Sequence, residues 1–275
     1  MAQRPRALIL RSAGINCDEE LSYAFELAGA SSETIHLREL MDEPERFDDY
    51  DLIGFPGGFS FGDDVAGGAI FAMLVRERLY PALVKCIRRR TPIFAVCNGF
   101  QVAVKTGLLP GPSEGSDWPV DGPPEQCVTL TDNAGGRFID DWVEVEVNPD
   151  SPCIWTKGLR KKYGEAREMM MVPIAHGEGR FTAAEEVIAE LESTNRVALR
   201  YTDGCNVNGS VNRIAGICDG TGLIFGLMPH PERFVLREHH PFWSRLSEDR
   251  GGGDYEPIGL RIFRNAVEYA QDNMG

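Results

Sequence analysis

Short apolar runs and longer helix-like stretches alternate along the first hundred residues of the chain. The apolar runs are four or five residues long, which is typical of strands, and they lie at 7–10, 52–55 and 92–96; a further strand, with mixed polar and apolar residues, is predicted at 33–37. The longer stretches carry apolar residues at helical spacing and lie at 18–28, 69–75 and 81–89. This alternation predicts an α/β fold: a mostly parallel central sheet flanked by helices, with ligands bound at the carboxyl ends of its strands.

The second half of the chain adds two further patterns. Alternating apolar and polar residues around 127–147 and 167–174 predict added antiparallel strands, and another buried run lies at 223–228. Helical spacing returns at 183–191 and 258–270. The parallel sheet predicted from the first half is therefore expected to continue into an antiparallel extension.

Two segments interrupt the regular pattern and predict loop excursions. Residues 110–126 are rich in proline and glycine, and residues 234–257 contain a run of three consecutive glycines. The composition of both segments predicts long loops and not a further domain. Because no internal repeat or linker is found elsewhere, the sequence predicts a single domain over residues 1–275 that carries these two excursions.

Cys97 follows the apolar run 92–96 and precedes a helical pattern that stops at Gly107. Small residues, Ala95 and Gly99, stand two positions away on either side, and they allow a strand to turn sharply into a helix with the cysteine at the turn. A helix N-terminus also stabilises negative charge, which favours the nucleophilic thiolate. Cys97 is therefore the candidate nucleophile, and the alternative is a buried structural cysteine.

A candidate base, and a group to orient it, follow the buried run 223–228. His230 and Glu232 are two residues apart, so in an extended segment their side chains point to the same side. Neighbouring prolines restrict the backbone of both residues. Glu232 can then accept a hydrogen bond from one ring nitrogen of His230 while the other nitrogen faces Cys97.

Gly57 and Gly58 follow the run 52–55, and adjacent glycines permit backbone shapes that aim N–H groups into a site. Acyl transfer requires two such donors for the negatively charged oxygen of its tetrahedral intermediate. Loss of one donor typically lowers the rate by roughly 100- to 1000-fold. We assign the two donors to the backbone N–H groups of Gly58 and of Asn98, the residue after the candidate nucleophile.

The composition limits the class of protein. The net charge of −14 disfavours nonspecific binding of nucleic acid. Seven cysteines without a Cys-x-x-Cys pair favour reduced thiols in the cytoplasm over a disulfide framework or a zinc site. The first residues lead directly into a strand-like run, with no apolar stretch long enough for a signal peptide or a membrane span. We expect neither a metal site nor association with nucleic acid or a membrane.

Six blocks of the sequence resemble one family. Residues 97–101 and 229–233 look like the cysteine and His-x-Glu motifs of the triad (class I) glutamine amidotransferases, whose fold is flavodoxin-like. Finer matches to the glutaminase subunits of phosphoribosylformylglycinamidine synthase lie at 16–18, 56–60, 173–179 and 206–210. Because these blocks follow one another in order and span most of the chain, the resemblance extends to the subfamily.

The resemblance implies that Cys97 attacks glutamine, with His230 as general base and acid and Glu232 as its orienting partner. The expected reaction is hydrolysis through a cysteinyl thioester to glutamate and ammonia. A large synthetase subunit would use this ammonia for ATP-dependent conversion of formylglycinamide ribonucleotide to the amidine in purine biosynthesis. The resemblance places ATP and magnesium on that partner, implies no cofactor in this chain, and leaves a further small subunit open.

Other matching residues receive less direct roles from the resemblance. Gln101 and Gly57 are implied in binding substrate glutamine. His176 lies in a loop resembling one that lines the glutamine pocket or meets the partner. Cys17 is implied to be structural or interfacial, and Arg233 to anchor a loop or a partner.

Two alternative functions, each from another class of protein, remain open at this point. A hydrolase of γ-glutamyl bonds that acts without a partner could use the same cysteine, histidine and fold. A non-enzymatic binding or sensor module would keep Cys97 at its turn but would need neither His230 nor Glu232. The presence of both residues in the right order counts against the sensor module.

Overall fold

A nine-stranded mixed sheet forms the centre of the computed structural model, which describes residues 4–163, 167–245 and 256–274. The strands of this sheet are β1 (Arg6–Arg11), β2 (Ser31–His36), β3 (Leu52–Phe55), β4 (Ile93–Val96), β6 (Ile139–Val147), β7 (Met171–His176), β9 (Val197–Tyr201), β10 (Ile214–Cys218) and β11 (Ile224–Leu227). Two further strands, β5 (Val128–Thr131) and β8 (Arg180–Ala183), form a separate antiparallel pair.

The strands of the large sheet lie in the order β2-β1-β3-β4-β11-β10-β9-β6-β7. The first five strands in this order, from β2 to β11, are parallel to one another. The four remaining pairings, starting with that of β11 and β10, are antiparallel. Every residue of β3 and β4 is buried, as expected for strands covered on both faces. The predicted sheet with added antiparallel strands is confirmed.

Helices cover both faces of the sheet. They are α1 (Asp18–Ala28), α2 (Leu37–Asp42), α3 (Ala69–Leu74), α4 (Tyr80–Arg88), α5 (Asn98–Lys105), α6 (Leu159–Tyr163), α7 (Glu185–Ser193) and α8 (Ile258–Asn273). Helix α1 has the predicted bounds, because apolar residues recur on one face and Gly29, with φ of 108°, ends it in the left-handed conformation. No helix in the described part of the chain is both long and apolar enough to cross a membrane.

An aromatic cluster joins α1 and α8 to the middle of the sheet. The ring of Phe263 on α8 lies 5.1 Å from Phe25 on α1 and 4.9 Å from Phe94 on β4, measured between centroids. Trp155 packs 5.0 Å from Phe94 and donates its indole N–H to the carbonyl of Leu223. Centroid spacings near 5 Å are typical of favourable aromatic pairs. The cluster therefore fixes β4, the strand that leads into Cys97.

Some element bounds differ from those predicted. The helix expected at 183–191 lies at Glu185–Ser193, because the residues before it pair with β5 as a strand. The strand expected at 33–37 lies at Ser31–His36 and ends where the His36 ring accepts a hydrogen bond from the Arg38 amide, capping α2.

The two predicted excursions are largely irregular where the structure describes them. The segment 110–126 forms turns and bends without a helix or strand. Of 234–257, residues 237–239 and 243–245 form single 3-10 turns, whereas the predicted loop at 246–255 lies outside the described residues.

The topology brings the sequence motifs together. Strand β4 lies between β3 and β11 and is parallel to both, so their carboxyl ends meet at one edge of the sheet. The Gly57-Gly58 turn, Cys97 and His230 follow these three strands in that order. The polypeptide therefore builds one site from segments that are far apart in sequence.

Candidate active site

Cys97 occupies a strained turn between β4 and α5. Its φ of 51° and ψ of −110° lie outside the regions that residues other than glycine normally adopt, and its side chain is buried. The amide of Cys97 donates to the carbonyl of Leu227 at 2.9 Å, which ties the turn to β11. A Cβ atom on Gly99 would lie 2.0 Å from the carbonyl oxygen of Phe55, so only glycine allows this close approach of α5 to β3. The predicted turn is present.

His230 and Glu232 form a buried pair beside the candidate nucleophile. His230 Nδ1 and Glu232 Oε1 are 2.5 Å apart, and both residues are 1% exposed. The amide of His230 donates to the carbonyl of Pro173 at 2.7 Å, which fixes the backbone of the loop. Burial opposes the charged imidazolium, but the Glu232 carboxylate and the nearby Cys97 and Cys17 thiols outweigh it and raise the pKa of His230 well above its usual value.

Cys17 lies closer to this pair than the sequence analysis anticipated. It precedes α1, and its Sγ accepts a hydrogen bond from Arg233 Nη2 at 2.9 Å. Arg233 thus anchors its loop to the start of α1. Ligand-type atoms of Cys17, His230 and Glu232 lie within 4.8 Å of one another. The Arg233 guanidinium already pairs with the sulfur, and its positive charge opposes a metal cation there.

The two assigned oxyanion donors have free N–H groups. Gly58 has a φ of 139°, and the turn is held against residues 14–16 by hydrogen bonds from Phe59 N to Gly14 O at 2.9 Å and from Asn16 N to Gly57 O at 3.5 Å. Asn98 is the first residue of α5, where a helix leaves its N–H groups without internal acceptors. Among the described residues, no hydrogen-bond acceptor is found for either N–H.

A cavity of about 180 Å³ opens beside Cys97. It is lined by Gly58, Phe59, Asp63, Cys97, Gln101, Phe138, Ala175, His176, Gly177 and Glu178. Gly57 is not among these lining residues. It lies against His230 instead, since a Cβ atom at Gly57 would be 2.8 Å from His230 Cε1.

Gln101 connects the helix after the nucleophile to the loop that closes the cavity. Its Nε2 donates to the carbonyl of Glu178 at 2.7 Å, and its Oε1 accepts from Asn98 Nδ2 at 2.9 Å. The Asn98 side chain also donates to Asp63 Oδ1 at 3.0 Å and accepts from the Ser60 amide at 3.3 Å. The wall of the cavity is therefore held by a continuous network of amide hydrogen bonds.

His176 lines the cavity as a neutral hydrogen-bond acceptor. Burial and the nearby His230 lower the pKa of His176 to about 4. Asn133 Oδ1 lies 3.0 Å from His176 Nδ1 and also accepts the Gly179 amide, while Asn133 Nδ2 donates to two carbonyls. Because this network makes Asn133 Oδ1 an acceptor, His176 Nδ1 carries the proton and Nε2 is the bare acceptor. Nε2 is buried without a partner among the described residues.

Several residues of this site had no role assigned from the sequence. Asp63, Phe138 and Glu178 line the cavity, and Asn133 orients His176. Glu178 lies within the motif at 173–179 and Asp63 lies three residues after the motif at 56–60, but neither side chain had an assigned role. Asn133 has a local bond to the Arg137 carbonyl, but no sequence signal indicated its role in the site, because its bonds to His176 join residues 43 positions apart.

The chain matches the family described as CobB/CobQ-like glutamine amidotransferase domain over residues 4–270. It is similar to the phosphoribosylformylglycinamidine synthase subunit PurQ of Dehalococcoides mccartyi, with 42% identity over 277 residues covering 97% of this chain and 98% of the relative. PurQ of Methanococcus maripaludis strain S2 is 38% identical over 280 residues, covering 96% and 97%. Among solved structures, a chain of PurLQS from Thermotoga maritima matches with a TM-score of 0.68 and 32% identity, covering 97% and 99%.

Proposed function

Because this chain belongs to the CobB/CobQ-like glutamine amidotransferases, and within them to the PurQ subunits of phosphoribosylformylglycinamidine synthase, we propose that Cys97 is the residue that hydrolyses glutamine. The chain supplies ammonia for the synthesis of formylglycinamidine ribonucleotide in purine biosynthesis. The observation that carries the assignment is the His230–Glu232 pair, 2.5 Å apart and buried, at the end of the strand beside the one that leads to Cys97.

In the first half of the reaction, the Cys97 sulfur attacks the side-chain amide carbon of glutamine. The N–H groups of Gly58 and Asn98 stabilise the oxygen that becomes negatively charged. His230 then protonates the departing nitrogen, because an amide is a poor leaving group without a proton. Glu232 keeps the imidazole oriented through Nδ1 and stabilises its positive charge. The products are a cysteinyl thioester and ammonia.

In the second half, His230 accepts a proton from water as the water oxygen attacks the thioester carbonyl. The same two N–H groups stabilise the second tetrahedral intermediate. Collapse of this intermediate breaks the carbon–sulfur bond, releases glutamate and regenerates Cys97. Gln101 shapes the cavity through its bond to the Glu178 carbonyl, and His176 Nε2 is an acceptor for a substrate N–H.

The ammonia is used by a large synthetase subunit, and the solved relative is described as PurLQS of Thermotoga maritima. We place ATP and magnesium on that synthetase and no cofactor in this chain, with a further small subunit as an additional partner. The absence of a Gly-x-x-x-x-Gly-Lys-Ser/Thr phosphate loop from the sequence agrees with this division. We also propose that residues 1–275 form a single domain. We place the protein in the cytoplasm, because all seven cysteines are free thiols, as is usual in a reducing compartment.

The test uses Cys97→Ala in the complex reconstituted with the synthetase. Glutamine-dependent amidine formation is expected to be lost, while formation from an ammonium salt persists, because the synthetase site does not need this thiol. Loss of both activities would assign Cys97 to structure or assembly. Hydrolysis of γ-glutamyl peptides at full rate by the chain alone would instead favour the partner-free hydrolase.

A further inference from the structure

A second thiol lies beside Cys97 and has no part in the proposed reaction. Cys17 belongs to the block at 16–18, precedes α1 and is 1% exposed. A Cβ atom built at Gly57 would lie 3.2 Å from Cys17 Sγ and 3.4 Å from Cys97 Cβ. Because glycine carries no side chain, nothing at position 57 keeps the two cysteines apart. The turn before the assigned oxyanion donor thus brings two free thiols to one place.

His230 lies beside both cysteines. The same Cβ position at Gly57 is 2.8 Å from His230 Cε1, and a ring nitrogen of His230 lies within 4.8 Å of Cys17 Sγ. Both thiols interact with the imidazole. An imidazole next to a thiol can accept its proton and leave the thiolate, which is the nucleophilic form of cysteine. One base can therefore serve two sulfurs.

Cys17 is held by a polar partner on either side. Its Sγ donates to Asn16 Oδ1 at 3.2 Å and accepts from Arg233 Nη2 at 2.9 Å. The positive guanidinium offsets the negative charge that this sulfur carries when it acts as a nucleophile. The surroundings of Cys17 are therefore those of a reactive thiol, although no step of glutamine hydrolysis uses it.

The two thiols differ in their access to the cavity. Cys97 lines the cavity, whereas Cys17 is not among the lining residues. A small oxidant that enters the cavity therefore meets Cys97 first, and Cys17 is placed to react second. An accessible cysteine next to a second, resolving cysteine is the usual arrangement of a redox-sensing site. Disulfides in a reducing compartment are mostly transient ones of this kind.

We propose that Cys97 and Cys17 form a reversible disulfide when a hydroperoxide enters the cavity, and that this bond stops glutamine hydrolysis and protects Cys97 from irreversible oxidation. The proposal goes beyond the glutaminase function, which serves only as one of its readouts. Cys97 is the oxidised thiol and Cys17 is the resolving thiol.

The reaction with hydrogen peroxide has two steps. First, the Cys97 sulfur attacks one peroxide oxygen, so that a sulfur–oxygen bond forms and the oxygen–oxygen bond breaks. The second oxygen takes up the thiol proton through His230 and leaves as water. Next, the Cys17 sulfur attacks the sulfur of the Cys97 sulfenic acid, and the sulfenic oxygen leaves as water with the Cys17 proton. Two thiols and one peroxide thus give one disulfide and two waters.

A second pair of buried thiols provides an internal comparison. The Cys153 thiol, together with burial, raises the pKa of Cys218 well above its usual value, so these two cysteines are also neighbours. Neither of them lines the cavity. If proximity alone decided, oxidation would link Cys153 to Cys218. If the cavity and the base decide, it links Cys17 to Cys97.

The test treats the complex with the synthetase with hydrogen peroxide and maps the cysteine peptides by mass without reduction. The wild-type chain is expected to yield a linked Cys17–Cys97 peptide that lacks two hydrogen atoms relative to the separate peptides. Glutamine-dependent amidine formation should be lost while formation from an ammonium salt persists. Dithiothreitol should remove the link and restore the glutamine reaction.

Cys17→Ser keeps a hydroxyl that can bond to Asn16 and Arg233 but removes the resolving sulfur. Without that sulfur, excess peroxide carries Cys97 to the sulfinic acid, which dithiothreitol does not reduce. Recovery, relative to the untreated activity of each protein, should therefore be about fivefold lower than in the wild type, or lower still. Cys153→Ser is the matched control, since it removes one thiol of the second pair, and it should recover as the wild type does.

Two results would overturn the proposal. One is oxidation of wild-type Cys97 to the sulfinic acid without a link to Cys17, or a Cys153–Cys218 link that forms first. The other is equal recovery of Cys17→Ser and the wild type. If the wild-type complex does not hydrolyse glutamine, the proposed function fails, but the peptide map still decides whether the disulfide forms. The map uses the wild-type chain, so it is valid even if Cys17→Ser folds poorly.

Discussion

Gly57→Ala offers a direct test of how the site places His230, the proposed general base. The structure places no positive φ at Gly57, so alanine is compatible with the backbone there. The added Cβ would lie 2.8 Å from His230 Cε1, 3.2 Å from Cys17 Sγ and 3.4 Å from Cys97 Cβ. The steric conflict therefore falls mainly on the imidazole ring.

The magnitude follows from the distance. Ordinary contact begins at 3.4 Å, so the ring of His230 must move by about 0.6 Å, or the turn must move by the same amount. A misplacement of about 1 Å in a catalytic geometry can lower a rate by roughly 100-fold. The whole contribution of a general acid–base group is about 100- to 10,000-fold. We therefore expect kcat for glutamine to fall by about 10- to 100-fold.

The assay measures amidine formation by the reconstituted complex, first with glutamine and then with saturating ammonium salt. Gly57→Ala should impair only the glutamine reaction. Gly204→Ala is the control, since no atom lies within 4 Å of a Cβ at that position and no positive φ is involved. A Gly57→Ala complex that retains more than a third of the wild-type glutamine rate would refute the steric reasoning.

Three further predictions use the same protein. Burial lowers the pKa of His176 from about 6.5 in the unfolded chain to about 4 in the folded protein. The folded state therefore binds fewer protons, and the free energy of unfolding falls as the pH drops below 6.5. Urea titrations should show a loss of about 2 kcal/mol from this group between pH 7.5 and pH 5, and His176→Gln should not show this loss. A glutamine-like diazo-ketone should label Cys97 before the exposed Cys127, as mass mapping would show, and the reverse order would contradict the cavity. We expect binding of the synthetase to raise the glutaminase turnover of this chain. Because Phe59 is exposed at the mouth of the cavity, Phe59→Ala should reduce that increase by about tenfold, and an unchanged increase would exclude a role for this ring.

Local patterns account for the elements and residues that the sequence predicted well. Helix α1 has its predicted bounds because its apolar face and its terminal glycine lie within a dozen residues of sequence. Cys97, His230 and Glu232 were identified as candidate site residues for the same reason. Each lies in a short motif that also contains the turn or the proline that sets its local backbone conformation. By contrast, β9 and β10 were not predicted, although each contains a short apolar run; their place in the sheet, between β6 and β11, depends on long-range pairing.

The acceptors of the cavity show where a single sequence stops being informative. The hydrogen bond from Gly67 to Glu178 joins residues 111 positions apart, and the bond from Gln101 to Glu178 joins residues 77 positions apart. No spacing rule connects such residues, because the contact exists only after β3, β4 and β7 have taken their places. Neither Asp63 nor Glu178 stands out among the acidic residues until the fold sets both beside the same cavity.

Two glycine contacts add to the side-chain hydrogen bonds that hold the candidate site. Gly99 lets α5 approach the carbonyl of Phe55 on β3, and a Cβ at Gly226 on β11 would lie 2.2 Å from the ring of Phe100 on α5. The helix that begins just after Cys97 is therefore packed directly against the strands that lead to the oxyanion turn and to His230. Because these two contacts set how α5 packs against β3 and β11, bulk at Gly99 or Gly226 should disturb the candidate nucleophile, the candidate oxyanion donors and the candidate base together.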